Sequence, residues 1–128
     1  MSASAASEFR RAVEARDLDA IMGCFGANPV LRSPVSFKPF EGRDEVRRLL
    51  EIVLDTFEDF AYTDELAGDG VHSLVFSARV GAREVEGLDL LRLDGQGRIE
   101  ELTVMVRPLS GAIALAEAVG PRLAAASG

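Results

Sequence analysis

Asp89 is the residue of this sequence most suited to take part in a chemical reaction, because it is a carboxylic acid inside an apolar segment. Residues 86–106 read EGLDLLRLDGQGRIEELTVMV, and the two-residue period of a strand puts Asp89 on the same face as Leu91. Burial on such a face favours the neutral acid and suits it to give or take a proton. The structural alternative is that the carboxylate accepts hydrogen bonds from a backbone N–H or from an arginine such as Arg107 or Arg32.

Three other polar residues have both a functional and a structural interpretation. Ser33 either donates a hydrogen bond to a ligand or is a turn residue before Pro34. Tyr62 either donates its phenolic hydrogen bond into a pocket or packs at the rim as the first residue of a strand. Arg107 either holds an anionic ligand or forms a salt bridge with Glu101 or another surface acid.

His72 and Cys24 are weaker candidates. A lone histidine, here expected to be exposed, changes charge near neutral pH but has no obvious partner, and a thiol nucleophile needs a base beside it. One histidine and one cysteine exclude a zinc site, and the segments GDGVHS and DGQGRI lack the lysine and the following helix of a phosphate-binding loop. We therefore predict no metal and no cofactor.

The composition indicates one acidic domain over residues 1–128, since this length with 48% hydrophobic residues suffices for a core. Fourteen basic and 21 acidic side chains give a net charge of -7, which disfavours nucleic acid and anionic membranes as partners. A single cysteine, an N-terminus without a signal-peptide pattern and the lack of any apolar run of about 18 residues predict a cytoplasmic protein.

Apolar residues at helical spacing predict three helices in the first half. The first covers about residues 5–15, and the second begins after Asp17 as N-cap and ends at Gly26. The third lies in EGRDEVRRLLEIVLDTFEDF, and its apolar face is the longest. That face consists of Val46, Leu49, Leu50, Val53, Leu54 and Phe57.

Strands follow the helices. A short strand over residues 30–33 fits between two prolines, and a two-residue period starts at Tyr62. Glycine-containing turns at residues 68–70, 81–82 and 94–97 separate four strands, which predicts an antiparallel meander. An alanine-rich segment after Pro108 predicts a C-terminal helix.

Both faces of the strands near Asp89 are partly apolar, so helices on one face leave apolar side chains on the other. A second copy of the chain is the plainest cover for them. We therefore predict a homodimer formed through the sheet.

Taken together, these elements resemble the NTF2-like superfamily, specifically its SnoaL-like and ketosteroid-isomerase-like branch. The resemblance is carried by FRRAVEARDLDAIMGCF, VLRSPVSFKPFEGRDEVRRLL and GLDLLRLDGQGRIEEL, of which the last is the most specific. It implies an α+β fold, the NTF2-like cone, in which a curved antiparallel sheet packs against three N-terminal helices, plus a C-terminal helix. It also implies an apolar pocket at one end of the cone.

Ketosteroid isomerase places three polar groups in that pocket, and the resemblance assigns its hydrogen-bonding aspartate to Asp89. Its catalytic base, an aspartate before a proline, is replaced by Ser33, and its helix tyrosine falls near Phe9. These departures argue against steroid isomerisation by that route, because a serine without a neighbouring base does not abstract a carbon-bound proton at neutral pH.

We therefore predict binding of a small apolar or aromatic molecule, and, if the protein is an enzyme, proton transfer with Asp89 as acid or base. Isomerisation, cyclisation and hydrolysis of a strained ring are reactions of this kind. The alternative is a non-catalytic ligand-binding or dimerisation module, because one fold hosts many functions. The predicted ligand-binding residues are Phe9, Phe25, Leu31, Ser33, Phe57, Tyr62, Phe76, Leu91, Val104, Val106 and Arg107.

Overall fold

The computed structural model describes residues 5–127, which form helices on one face of a single six-stranded sheet. The helices are α1 (Ala5–Glu14), α2 (Leu18–Met22), α3 (Arg43–Thr56) and α4 (Leu109–Ser127). The strands are β1 (Phe25–Arg32), β2 (Phe40–Glu41), β3 (Glu58–Ala67), β4 (Val71–Val80), β5 (Arg83–Leu93) and β6 (Ile99–Arg107).

The N-terminal helices follow the sequence pattern with two corrections. Helix α3 ends at Thr56, so Phe57 lies after it in an extended conformation and not on its apolar face. The Asp17 side chain accepts a hydrogen bond from the third residue after it, which confirms it as the N-cap of α2. The prediction that Gly26 ends this helix is wrong. Helix α2 closes at Gly23, and Gly26 lies inside β1 because Phe25 and Leu31 bury their side chains as strand residues.

Strand β1 is longer than the predicted residues 30–33, and it contains Pro29. A proline cannot donate to a strand ladder, so an uninterrupted strand through it was not expected. The pairing of β1 with β6 is irregular between Phe25 and Val30, and the proline lies in that interruption. The irregularity therefore accommodates the missing N–H.

The strand order is β2-β1-β6-β5-β4-β3, and the meander of the last four strands is confirmed. Strand β1 pairs with β6 in parallel, so the sheet is not antiparallel throughout. Strand β3 begins at Glu58, and Tyr62 therefore lies within it rather than at its start. The turns at Gly70, Gly81 and Gly97 have positive φ angles of 72°, 60° and 78°, which glycine adopts without strain.

The inner face of the sheet is the core face, as the two-residue period predicts. Along β5, Val85, Gly87, Asp89 and Leu91 are buried, whereas Leu88 on the other face is half-buried. Helix α4 packs against the start of β5 so closely that a Cβ added to Gly111 would lie 2.5 Å from Val85 Cγ1. Within residues 5–127, no helix is both long enough and apolar enough to span a membrane.

Candidate functional site

A cavity of about 120 Å³ lies between the inner face of the sheet and helices α1 to α3. Among its lining residues only Glu14 and Arg16 are exposed, so they mark its rim, and Asp89 is buried in its wall. The cavity is lined by Phe9, Val13, Glu14, Arg16, Ile21, Leu50, Val53, Leu54, Phe57, Phe60, Tyr62, Phe76, Asp89, Leu102 and Val104.

Asp89 is the buried acid of this cavity, with 7% of its surface exposed. In the ladder of β5 it stands between Leu74 of β4 and Val104 of β6, so apolar side chains flank it on both sides. The hydroxyl of Tyr62 donates a hydrogen bond of 2.8 Å to Asp89 Oδ2. This is the only hydrogen bond to the Asp89 side chain within residues 5–127, and it leaves the other carboxyl oxygen, Oδ1, without a hydrogen-bond partner among these residues.

Glycine at position 87 shapes the wall beside this pair. Gly87 pairs with Phe76 in the ladder, and the Phe76 ring lies across the strand where a side chain would otherwise stand. A Cβ added to Gly87 would lie 2.1 Å from Phe76 Cζ and 2.8 Å from the carbonyl oxygen of Met105. Because such distances are far below contact, only glycine leaves room for this ring.

Aromatic rings form much of the remaining wall. The Phe60 ring stacks on Phe76 at 4.8 Å between centroids and meets Tyr62 edge-on at 4.9 Å. Phe57 contacts Phe76 at 5.4 Å. The guanidinium of Arg10 lies over the Tyr62 ring, 5.7 Å from its centroid, so the phenol has an apolar side and a cationic side.

The pKa values of the buried pair are displaced in the same direction. Burial raises the pKa of Asp89 from 3.8 to about 7, and the hydrogen bond from Tyr62 opposes part of this rise. Burial and the charge of Asp89 raise the pKa of the Tyr62 phenol far above its usual range. Near neutral pH, Asp89 therefore exists in both protonation states, while Tyr62 stays a hydrogen-bond donor.

The structure brings part of the predicted site together. It places six of the predicted residues on the cavity wall, and these are Phe9, Phe57, Tyr62, Phe76, Asp89 and Val104. It places the other six elsewhere, and these are Phe25, Leu31, Ser33, Leu91, Val106 and Arg107.

The predicted apolar residues that do not line the cavity lie behind its wall or beside it. Phe25 is fully buried and contacts Phe9 edge-on at 6.1 Å, so it supports a cavity residue from behind. Leu91 lies further along β5 and is also fully buried. Leu31 faces a second, smaller cavity of about 30 Å³ beside α4. Val106 borders a groove that opens on the outer face of the sheet.

Ser33 and Arg107 take their structural interpretations. The Ser33 hydroxyl accepts a hydrogen bond of 3.1 Å from the N–H of Val35, so it shapes the turn, although it also borders the smaller cavity. Arg107 forms a salt bridge of 3.1 Å with Glu86 at the exposed end of the sheet. Its predicted role at the cavity is therefore wrong, because its strand position points it away from the inner face.

The suggested arginine partners of Asp89 are also wrong. Arg32 forms a salt bridge of 2.8 Å with Glu101 on the outer face, and Arg107 forms one with Glu86. A phenol on a neighbouring part of the sheet occupies the place where a cation was expected. Without a cation beside it, the carboxyl group has no Coulombic reason to stay ionised, which is why burial dominates its pKa.

His72 and Cys24 lie outside the site. His72 is half-buried rather than exposed, and its Nδ1 atom has no hydrogen-bond partner within the described residues. Cys24 is buried, its thiol donates to the carbonyl oxygen of Ala20 at 3.5 Å, and burial raises the pKa of the thiol. A raised pKa disfavours the thiolate, so the structure offers no activated nucleophile here.

Sequence reasoning missed the rim and part of the wall. Glu14 is the last residue of α1 and Arg16 lies in the turn after it. Both side chains are exposed, so no sequence pattern marked them as cavity residues. Phe60 is not among the predicted ligand-binding residues, although its position two residues before Tyr62 on one strand face was an available signal. The remaining missed residues are Val13, Ile21, Leu50, Val53, Leu54 and Leu102.

The fold and the site together define a cone-type α+β protein of the NTF2-like class, with an apolar cavity that holds one buried acid. A family model described as a SnoaL-like domain matches residues 6–102, which is most of the chain. The protein therefore belongs to the SnoaL-like family. No curated protein sequence matches the chain.

Solved structures of similar proteins support this assignment. A steroid delta-isomerase from Pseudomonas aeruginosa is 45% identical, with a TM-score of 0.89 over 98% of this chain and 95% of that one. An uncharacterised protein with a cystatin-like fold from Silicibacter pomeroyi is 26% identical, with a TM-score of 0.88 over 92% and 84%. The epoxide hydrolase/cyclase-like enzyme SalBIII of salinomycin pyran ring formation shares the fold at 20% identity and a TM-score of 0.69 over 84% and 90%.

Proposed function

We propose that this protein binds a small apolar molecule in its cavity and transfers a proton to or from it through Asp89. The observation that carries the proposal is the buried Asp89–Tyr62 pair at the cavity wall, with one carboxyl oxygen left for a ligand. A general acid or base works best when its pKa lies near the working pH, and burial raises the pKa of Asp89 to about 7.

The two protonation states of Asp89 would act on different substrate groups. The neutral acid donates a hydrogen bond or a proton to a carbonyl or cyclic ether oxygen, and the carboxylate accepts a proton from carbon. The Tyr62 hydroxyl keeps one carboxyl oxygen occupied and so orients the other toward the ligand. Isomerisation, cyclisation and opening of a strained ring all draw on these steps.

The size of the cavity limits the ligand. Apolar cavities of roughly 150 Å³ hold a molecule the size of benzene, and typical pockets for drug-sized ligands exceed roughly 300 Å³. At about 120 Å³, the cavity suits one small ring or a short branched chain. A steroid, the substrate class named for the Pseudomonas aeruginosa relative, would require the rim to move.

Residue identities also separate this chain from the ketosteroid isomerase mechanism. Ser33 stands where that mechanism has its base, and Phe9 stands where it has its tyrosine, as the sequence resemblance indicated. In the structure Ser33 borders the smaller cavity, with Leu50 and Phe57 bordering both. We therefore assign the proton transfer to Asp89 alone.

Turnover of two neutral probes tests the proposal: a β,γ-unsaturated cyclohexenone for isomerisation and cyclohexene oxide for ring opening. Wild-type protein and Asp69→Asn, which removes an exposed carboxylate from the β3–β4 turn, should act on at least one probe. Asp89→Asn should bind that probe and lose turnover. Turnover that survives in Asp89→Asn would remove Asp89 from the mechanism.

The competing function is a non-catalytic ligand-binding module, favoured by the scarcity of acid–base groups in the cavity. The second carboxylate on its lining, Glu14, lies at the exposed rim and pairs with Arg10 at 3.5 Å. If both probes stabilise the wild-type protein against heat and neither is converted, this module function takes precedence, since ligand binding to the native state alone raises the Tm.

We also propose that two copies of the chain associate through the outer face of the sheet. This face carries a groove of about 350 Å³ bordered by Val75, Leu88 and Val106. Met105 lies in the same groove and is 51% exposed. A contiguous apolar patch on a protein surface marks a site of association, and a symmetric dimer is the commonest assembly that covers one. Sedimentation velocity would show the proposed dimer directly.

A further inference from the structure

The rim of the cavity carries an arginine, Arg16, that forms no salt bridge with a carboxylate of residues 5–127. Arg16 lies in the turn between α1 and α2 with φ 55°, a left-handed conformation that is uncommon for a residue with a side chain. Its N–H donates to the carbonyl oxygen of Val13 at 2.9 Å, which closes the end of α1. The turn directs the side chain across the rim to α3, where the guanidinium donates to the carbonyl oxygen of Leu54.

The other charged groups beside the rim are one guanidinium and two carboxylates, which pair with each other. Glu14 pairs with Arg10 at 3.5 Å, and Arg10 also pairs with Glu65 at 3.0 Å. Arg16 has no carboxylate within salt-bridge distance in residues 5–127. A guanidinium has five N–H donors, and a single backbone carbonyl leaves most of them free for another acceptor.

We infer that Arg16 determines ligand specificity by binding an anionic group, so that the natural ligand is a small apolar acid. This inference rests on the proposed function, because it concerns the same cavity. The apolar part of the ligand would fill the cavity and reach Asp89, and its carboxylate would lie at the rim. A carboxylate binds a guanidinium through two charge-assisted hydrogen bonds and therefore displaces the neutral carbonyl of Leu54.

This geometry explains how the cavity admits its ligand. The Arg16 side chain joins the α1–α2 turn to the last turn of α3, and both segments border the cavity. When the guanidinium leaves Leu54 to bind an incoming carboxylate, this connection opens at the moment the ligand arrives. A neutral ligand competes less well for the guanidinium, because its oxygens accept hydrogen bonds without carrying a charge.

Benzoate and nitrobenzene test the inference, because they share a planar ring with a two-oxygen substituent and differ in charge. Isothermal titration calorimetry near neutral pH should show benzoate binding about fivefold more tightly than nitrobenzene to the wild-type protein, which is the upper range for an exposed ion pair. The net charge of -7 opposes any anion, so such a preference requires a local cation.

Two variants separate the role of Arg16 from the effect of charge in general. Arg16→Met keeps an apolar stem and should lose the preference for benzoate. Arg11→Met removes the same charge from an exposed position on α1 that does not line the cavity, and it should keep the preference. Arg16→Lys keeps the charge without the planar fork and should retain part of the preference. Circular dichroism checks that each variant is folded.

The possible failures are distinct. If wild-type protein binds nitrobenzene and benzoate with equal affinity, or if Arg16→Met keeps the preference for benzoate, the specificity inference is wrong and the proposed function stands. If neither probe binds at millimolar concentration and the neutral probes of the turnover test also fail to bind, both the proposed function and this inference are wrong.

Discussion

Replacing Asp89 by asparagine should change how the stability of the protein depends on pH. The native state holds the Asp89 proton up to a pH of about 7, whereas the unfolded chain releases it near 3.8. Between these values the native state binds more protons, so the free energy of unfolding falls as pH rises. The contribution of protonated Asp89 is complete below 3.8 and is lost once pH passes about 7.

The size of the effect follows from the two pKa values. A pKa of about 7 in the fold against 3.8 for an unburied aspartate corresponds to about 4 kcal/mol of unfolding free energy. Between about pH 5 and about pH 8, the wild-type protein loses about 3 kcal/mol of this unfolding free energy. Asparagine at this position does not titrate, and its amide oxygen still accepts the hydrogen bond of Tyr62.

Urea denaturation at several pH values measures this effect. We expect Asp89→Asn to gain about 3 kcal/mol relative to wild type on going from about pH 5 to about pH 8, at an unchanged m value. Because the sequence has one tyrosine and no tryptophan, intrinsic fluorescence reports unfolding around Tyr62 alone and is a second probe. Asp69→Asn, which removes an exposed carboxylate, is the matched control.

A difference between Asp89→Asn and wild type that stays constant with pH would refute the reasoning. It would mean that Asp89 has the same pKa in the folded and unfolded states, and so is not held in an apolar environment. The proposed proton transfer near neutral pH would then lose its basis.

Three further predictions follow from the site and the sheet. Tyr62→Phe removes the hydrogen bond that lowers the pKa of Asp89, so this pKa should rise further, as measured by the carboxyl carbon NMR shift; an unchanged or lower pKa would contradict the pairing. Gly87→Ala should destabilise the fold by about 1–3 kcal/mol in urea denaturation, because the new methyl group overlaps the Phe76 ring; unchanged stability would show that the ring moves freely. Met105→Glu should shift sedimentation from dimer to monomer without loss of fold, since it buries a charge in the proposed interface; an unchanged dimer would place the interface elsewhere.

The sequence predicted those features that depend on near neighbours along the chain. The two-residue period placed Asp89 on the buried face of β5, and the helical period marked the buried faces of α1 and α3. Asp17 was recognisable as an N-cap because its hydrogen bond reaches only three residues ahead. The turns between β3 and β6 were equally local, because glycine supplies their positive φ angles.

Contacts between distant segments were decided only by the tertiary structure. Tyr62 and Asp89 are 27 residues apart, and they meet because β4 lies between their strands and the Phe76 ring rests over Gly87. The parallel pairing of β1 with β6 likewise leaves no local trace in either strand.

Whether an apolar residue fills the core or borders the cavity also lies beyond the sequence pattern. Phe9 and Phe25 are both buried, yet Phe9 lines the cavity and Phe25 packs behind it. The period of apolar residues in a sequence indicates which face of a helix or strand is buried. A cavity forms where the packed side chains of several elements do not fill the space between them. The sequence alone therefore determined the buried acid, and the tertiary structure determined its phenol partner, the volume before it and the arginine at the rim.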